Sequence, residues 1–217
     1  MESKLIEGTK LACMFSWDCK TAREKEINDQ LTKFVIDLQN PEEMQLILRK
    51  LASYYGYVQL AAKYGLYPFT WEIVSAYWLG NKQLDEVFCQ RGGNKGIDFP
   101  YHNYHVLAKF RPSQLNSRLL LRIFQLIAEC TVQTALVVEI RRLDYRGIYK
   151  PISWSKEKGF HFGNLIRRDI KKGLLGKARV DDIIAFHFGS ARLVINEATR
   201  ANLLRYTQLT FDSLNAK

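Results

Sequence analysis

The chain has 217 residues, of which 47% are hydrophobic and 25% charged, and its net charge is +10. This composition is that of an ordinary globular protein with one large domain or two small ones. No apolar run approaches the roughly 18 to 20 residues that cross a bilayer, so the sequence predicts no membrane-spanning segment. The first residues, MESKLIEGTK, lack the pattern of a secretory signal, and we expect a cytoplasmic protein.

The first part of the chain, residues 1–128, predicts a helical domain. Apolar residues recur at three- and four-residue spacing over 21–38 and 42–64, and Asn and Pro between these segments favour a new helix start. The same periodicity predicts helices over 70–79, 82–89 and 115–128. The stretch RGGNKGIDFP, residues 91–100, predicts a structural loop because its glycines and proline oppose regular structure.

The second part, residues 129–217, changes to the pattern of a small antiparallel β-barrel-like domain. Residues 131–140 are rich in Thr and Val, as strands are. Alternating segments around 148–162 predict a hairpin, and two more strands are predicted around Gly189. Asn196 is a good cap for a closing helix. The fold class expected is α+β, with an N-terminal helical domain, a small barrel-like domain and a C-terminal helix.

Most of the excess charge falls between Arg141 and Arg179, which hold twelve basic and three acidic residues. A field of one sign attracts a polyanion or an acidic protein. The alternative is a set of edge lysines and arginines that block strand pairing. The candidates for binding an anion or nucleic acid share this stretch: Arg167, Arg168, Lys171, Lys172 and Arg179. In a nucleic-acid module, Trp154, Phe160 and Phe162 would stack on bases.

Two pairs of residues could bind a metal. His102 and His105 share one face if their segment is helical, because side chains three residues apart are neighbours on a helix. Cys130 and His187 offer a thiolate and an imidazole, which are good ligands for iron, zinc or copper. Each pair also has an ordinary structural interpretation. The histidines would form buried hydrogen bonds, and Cys130 would be a buried core thiol.

The other cysteines do not form a metal-binding motif. All four cysteines, Cys13, Cys19, Cys89 and Cys130, are scattered without a CxxC pair. In a cytosolic chain this spacing predicts reduced thiols, mostly buried.

The segments EIVSAYWLGNKQLDEV, residues 72–87, and PYHNYHVL, residues 100–107, carry a resemblance to a family. They resemble an uncharacterised prokaryotic domain-of-unknown-function family that shows EAYWxGN followed by PHHxFHV. The similarity extends in outline from about residue 52 to the C-terminus. Tyr101 stands where that family has the first of its paired histidines.

The last third of the chain is distantly similar to the small hydrogenase maturation chaperones of the HypC type. Cys130 with residues 137–140 resembles the opening strand of those chaperones, and residues 182–189 resemble a later strand that contains a histidine. The resemblance implies that Cys130 and His187 hold an iron centre in transit. In this chain Cys130 is internal, whereas the chaperone cysteine stands at the chain start.

The sequence favours a binding protein over an enzyme, because no group of acid, base and nucleophile is visible. The leading hypothesis is an accessory or chaperone-like protein that docks a partner protein and holds a metal, iron or zinc, through Cys130, His187, His102 and His105. The alternative is an RNA-binding module that uses the basic face of the barrel.

Overall fold

The structure is a computed structural model that describes residues 2–17, 25–89, 99–110, 117–175 and 177–216. The predicted glycine-rich loop lies outside the described residues as far as residue 98. Among the described residues, no helix is long and apolar enough to span a membrane.

The chain divides into two compact units. One contains Met1–Val87 with Pro100–His102, and the other contains Phe88–Phe99 with Asn103–Lys217. The division falls within one short helix, between His102 and Asn103. The domain boundary that the sequence places after residue 128 stays a prediction.

The N-terminal half is helical, as predicted, and one helix at the start of the chain was not foreseen. In chain order the helices are α1 (Glu2–Ser16), α2 (Lys25–Asp37), α3 (Pro41–Leu48), α4 (Ser53–Tyr64), α5 (Trp71–Leu79), a 3₁₀ turn (Lys82–Leu84) and α6 (Asp85–Cys89). The helix predicted over 42–64 is two helices, since the chain turns at residues 49–52.

Trp78 lies in the centre of the helical unit. Its indole is 1% exposed, stacks on Phe15 at 5.2 Å and donates its Nε1 hydrogen to the Tyr57 hydroxyl at 2.5 Å. Helix α1 approaches the start of α5 at Gly8, where a Cβ atom would lie 2.1 Å from the Phe69 carbonyl oxygen. Only glycine permits this contact.

The C-terminal half contains a closed five-stranded barrel. Its strands and those of a separate hairpin are β1 (Gln133–Ile140), β2 (Asp144–Tyr149), β3 (Ile152–Ser155), β4 (Gly159–Phe162), β5 (Ile166–Lys171), β6 (Ile183–His187) and β7 (Ser190–Ile195). The barrel order is β1-β2-β5-β7-β6, and β3 and β4 form a separate two-stranded sheet. All pairs are antiparallel except β5 with β7. The predicted α+β class is confirmed.

The barrel encloses its own apolar core because alternate side chains of each strand point inward. In β2, for example, Tyr145, Gly147 and Tyr149 are buried, while the residues between them are half-buried. The core cluster consists of Ala135, Val137, Tyr145, Tyr149, Ile170, Ala178, Ile184, Phe186 and Ala191. Burying each large apolar side chain stabilises the fold by about 1.5–3 kcal/mol.

A second apolar cluster lies under the β3–β4 hairpin. It is built from residues of the second unit that lie in or next to the helices α7 (His102–Leu107), α8 (Ser117–Glu129) and α9 (Glu197–Asn215). The predicted cap of the last helix is confirmed, since Thr199 N donates to Asn196 Oδ1 at 2.8 Å. At the other end, the Asn215 amide bonds the backbone N and O of Phe160 at 2.8 and 2.9 Å.

Asn103 joins α7 to the start of the barrel. Its Nδ2 donates to the Val132 carbonyl at 2.9 Å and to Thr207 Oγ1 at 3.0 Å, while its Oδ1 accepts from Val132 N at 2.8 Å. The side chain is fully buried. It therefore replaces a missing strand partner for the residue that precedes β1, and it fixes the position of α7.

We expect Asn103→Ala to lower the free energy of unfolding by about 3 kcal/mol, because it leaves both backbone groups of Val132 buried without a partner. Urea unfolding followed by circular dichroism measures this change. The matched control is Asn164→Ala, which removes an exposed amide and should change stability by less than about 0.5 kcal/mol. Equal effects of the two substitutions would contradict the anchoring role.

Candidate metal centre

Three of the four predicted metal ligands lie together. One ligand atom each from His102, Cys130 and His187 falls within 4.8 Å of the others. His102 is the first residue of α7, Cys130 follows α8, and His187 is the last residue of β6. Both imidazoles are buried, and the thiol is half-buried.

A tight turn places His187 at the end of its strand. Phe188 and Gly189 connect β6 to β7 with φ angles of 50° and 66°. Positive φ at both central residues is typical of the type I′ hairpin turn. Arg192, buried on β7, donates Nη2 to the His187 carbonyl at 3.1 Å. The turn and the bond from Arg192 together fix the backbone of His187.

The contact between His187 and Cys130 assigns the tautomer of the imidazole. His187 Nε2 lies 3.0 Å from the Cys130 carbonyl oxygen. Because a carbonyl oxygen only accepts, Nε2 carries the hydrogen, and the neutral ring has its lone pair on Nδ1. Metal-binding histidines commonly donate their second ring nitrogen to a backbone carbonyl. In this tautomer, Nδ1 of His187 is the ring nitrogen that carries a lone pair.

The turn that carries Cys130 is fixed by the same hairpin. Phe188 N donates to the Glu129 carbonyl at 2.9 Å, one residue before the Cys130 carbonyl that receives the His187 bond. The Thr131 hydroxyl donates to the Ala128 carbonyl at 2.6 Å. These bonds hold the helix end and the start of β1 in one geometry, so the backbone of Cys130 has a defined position.

A half-buried ion pair adjoins the turn. Arg168 donates Nη1 and Nη2 to the two carboxylate oxygens of Glu129 at 2.5 and 2.8 Å. This bidentate bond raises the pKa of Arg168, so its guanidinium stays charged. The Glu129 carboxylate is thereby committed to Arg168. Arg168, which the sequence predicts to bind an anion, is already paired with a carboxylate of the same chain.

The two predicted pairs of metal ligands are regrouped. His102 is buried against the Trp78 indole, with ring centroids 4.1 Å apart. His105 lies one turn further along α7, and its ring is 6.5 Å from that of Tyr104. Among the described residues, the group of ligand atoms around Cys130 does not include His105. Sequence spacing favoured His102 with His105, whereas the fold places His102 with Cys130 and His187.

The other predicted anion-binding residues lie on or beyond β5. Arg167 and Lys171 are exposed at alternate positions of the strand, on its outward face. Lys172 lies with its Nζ 5.5 Å from the centre of the Tyr145 ring. Arg179 is exposed in the segment before β6, where its backbone N donates to Asp182 Oδ2 at 2.6 Å.

An ion-pair network neutralises part of the basic stretch. Arg141 contacts Glu139 at 2.8 Å and Asp169 at 3.1 Å, and Arg146 contacts Asp169 at 2.9 Å. The hydrogen bonds from Arg141 and Arg146 lower the pKa of Glu139 and Asp169, respectively. The outer face between β1 and β5 is therefore less positive than the sequence count indicates.

The aromatic residues predicted to stack on bases take part in internal packing. Phe160 is 8% exposed and lies 5.8 Å from the Phe110 ring. The ring centroids of Trp154 and Phe110 are 5.4 Å apart, and those of Phe162 and Phe211 are 5.0 Å apart. All three support the hairpin in the second apolar cluster.

Comparison with known proteins gives no relative for this centre. No protein family, curated protein or solved structure matches the chain.

We expect a thiol reagent to modify Cys130 at least about tenfold faster than Cys13, because only the deprotonated and accessible thiol reacts. Cys13 is 0% exposed, and burial raises the pKa of its thiol. Mass spectrometry of the digested protein measures the two rates. Unfolding in urea is the control and should make them similar, while equal rates in the folded protein would contradict the described geometry.

Proposed function

We propose that this chain binds one transition-metal ion, zinc or iron, through His102, Cys130 and His187, and serves as a non-enzymatic accessory protein that holds this centre. The convergence of the three ligand atoms within 4.8 Å carries the proposal. The prearranged tautomer of His187 gives further support.

The donor types select the metal. Two imidazoles and one thiolate suit zinc, copper and iron, whereas magnesium and calcium prefer oxygen ligands. The group contains no carboxylate. The resemblance to hydrogenase maturation chaperones adds weight to iron, and the absence of redox chemistry in zinc makes it the simplest ion for a first test. Three protein ligands leave a coordination position for water or for a group from a partner protein.

An accessory role agrees with the surroundings of the thiol. The adjacent carboxylate, Glu129, accepts two hydrogen bonds from Arg168, one on each oxygen. The exposed cations Arg167 and Lys171 on the outward face of β5 fit an acidic partner protein.

We expect wild-type protein purified without chelator or oxygen to contain about one zinc or iron ion per chain, because the three convergent N and S ligands form one site. His102→Ala, Cys130→Ala and His187→Ala should each lose it. His105→Ala is the matched control on the same helix and should keep it. Elemental analysis measures the metal, and circular dichroism confirms that each variant folds.

Cobalt titration of the apo-protein gives an independent measurement. A thiolate ligand produces a charge-transfer band that should be present in wild type and in His105→Ala but absent in Cys130→Ser. Failure of wild type to bind zinc, iron or cobalt would overturn the proposal. Retention of metal by a folded Cys130→Ser variant together with a folded His187→Gln variant would do the same.

Nucleic-acid binding is the second candidate, and one observation favours it. Among the ion pairs of the described residues, Arg167, Lys171 and Lys172 do not appear. Five-stranded barrels of the OB type bind oligonucleotides across their second and third strands, which correspond here to β2 and β5. The support from the barrel rests on an analogy between folds.

As such a module, the chain should bind single-stranded RNA with an affinity that falls steeply as salt rises. The double variant Arg167→Ala/Lys171→Ala should bind at least about tenfold more weakly. Lys156→Ala/Lys158→Ala, which removes two charges from the hairpin turn, is the matched control. Fluorescence anisotropy measures both affinities. Equal affinities, or no binding by wild type at low salt, would exclude this candidate.

A further inference from the structure

A cleft of about 160 Å³ opens between the barrel and its C-terminal helix, within the second unit. It is lined by the start of β1, the end of β2, the β3–β4 hairpin and one face of α9. None of the proposed metal ligands is among its lining residues. The cleft is therefore a separate feature of the barrel unit.

Aliphatic side chains form part of the walls of the cleft, beside aromatic and polar ones. Ile148, Ile152, Leu203 and Leu204 contribute from β2, the hairpin and α9. Ile152 and Leu203 are almost fully buried, at 3% and 2% exposure. These aliphatic side chains favour a branched or cyclic hydrocarbon group.

Two cations lie among these aliphatic walls. Lys150 follows β2 and is exposed, and Arg200 lies in the first turns of α9. The lining residues include no Asp or Glu. A pocket with apolar walls and two positive charges is complementary to a ligand with a hydrocarbon body and one anionic end.

A carboxylate already contacts one of the cations. Glu197 lies 3.2 Å from Arg200 Nη1, and the two side chains are 69% and 40% exposed. Exposed pairs of this kind are weak. The planar guanidinium has further N–H groups with which to bind a second carboxylate side by side. Glu197 thus shows that Arg200 accepts a carboxylate, and it competes with a ligand for that position.

We propose that this cleft binds a small apolar carboxylate: a branched aliphatic chain that packs against Ile148, Ile152 and Leu203, with its carboxylate between Lys150 and Arg200. The volume of the cleft limits the size of the ligand, since an apolar cavity of about 150 Å³ accommodates benzene. A ligand of similar size is a five-carbon acid or the leucine-like residue at the C-terminus of a polypeptide. Both sources present the same chemistry.

The first experiment titrates isovalerate into the full-length ¹⁵N-labelled protein and follows amide shifts by NMR. We expect saturable shifts at residues of the cleft with a dissociation constant in the millimolar range, as for ligands of so few atoms. Isovaleramide has the same shape without the charge and should bind at least about tenfold more weakly, which is the loss of one well-placed ion contact.

Variants of the chain test the charges separately. Lys150→Gln and Arg200→Gln should each weaken isovalerate binding about fivefold or more, whereas Glu197→Gln should strengthen it because the internal competitor is removed. Lys156→Gln removes a charge from the hairpin turn, outside the cleft, and should change nothing. Leu204→Trp should block the cleft. The melting temperature of each variant checks its fold.

The source of the ligand is distinguished with the peptide acetyl-Gly-Gly-Leu and its C-terminal amide. Binding of the peptide acid tighter than isovalerate indicates a polypeptide C-terminus, and tighter binding of isovalerate indicates a free acid. The proposal is overturned if isovaleramide binds as well as isovalerate, if neither acid shifts residues of the cleft, or if Lys150→Gln and Arg200→Gln leave binding unchanged. These outcomes do not depend on metal binding.

Discussion

Two hydrogen bonds from the β6–β7 hairpin to the turn before β1 are the constraint on which the barrel unit depends. The Phe188 amide bonds the Glu129 carbonyl, and the His187 imidazole bonds the Cys130 carbonyl. They fix the end of α8 against the end of β6, where the first strand of the barrel begins. The same contacts bring the thiol to the imidazole. Closure of the fold and assembly of the candidate centre therefore have one cause.

Two amide side chains, one buried and one exposed, extend this constraint to the helices. Asn103 pairs with both backbone groups of Val132, and Asn215 pairs with both backbone groups of Phe160. Each amide group donates one hydrogen bond and accepts another, as a neighbouring strand would. It thereby pairs backbone groups that lie where the sheet ends. Helix α7 and the end of α9 are thereby held in register with the barrel unit.

The sequence predicted the elements whose side chains alternate or repeat clearly, and it failed where charges obscure the pattern. Residues 183–187 and the helix after Asn196 were predicted because their apolar periodicity and cap are plain. Strand β5 was missed because IRRDIK buries only Ile170 completely. In the sequence, the arginines of this strand belong to the basic stretch and do not show a strand pattern. In the fold, Arg168 pairs with Glu129, while Asp169 pairs with Arg141 and Arg146.

The sequence predicted the three residues of the candidate centre together with His105, but no local pattern showed which of the four converge. Local spacing joins His102 to His105, and only tertiary contacts join His102 to Cys130 and His187. Asn103 gave no signal, because an asparagine within PYHNYHVL resembles any other polar residue until its backbone partner is known. The volume of the cleft beside α9 likewise depends on how the helix packs on the barrel, which no local pattern encodes.

X-ray absorption spectroscopy of the zinc-loaded protein tests the central claim most directly, since it identifies the atoms bound to the metal. The account predicts one sulfur at about 2.3 Å and two imidazole nitrogens at about 2.0 Å, with a light atom in the remaining position. Loss of the sulfur shell in Cys130→Ser would agree with this assignment. A zinc ion surrounded only by oxygen and nitrogen in the wild-type protein would contradict it.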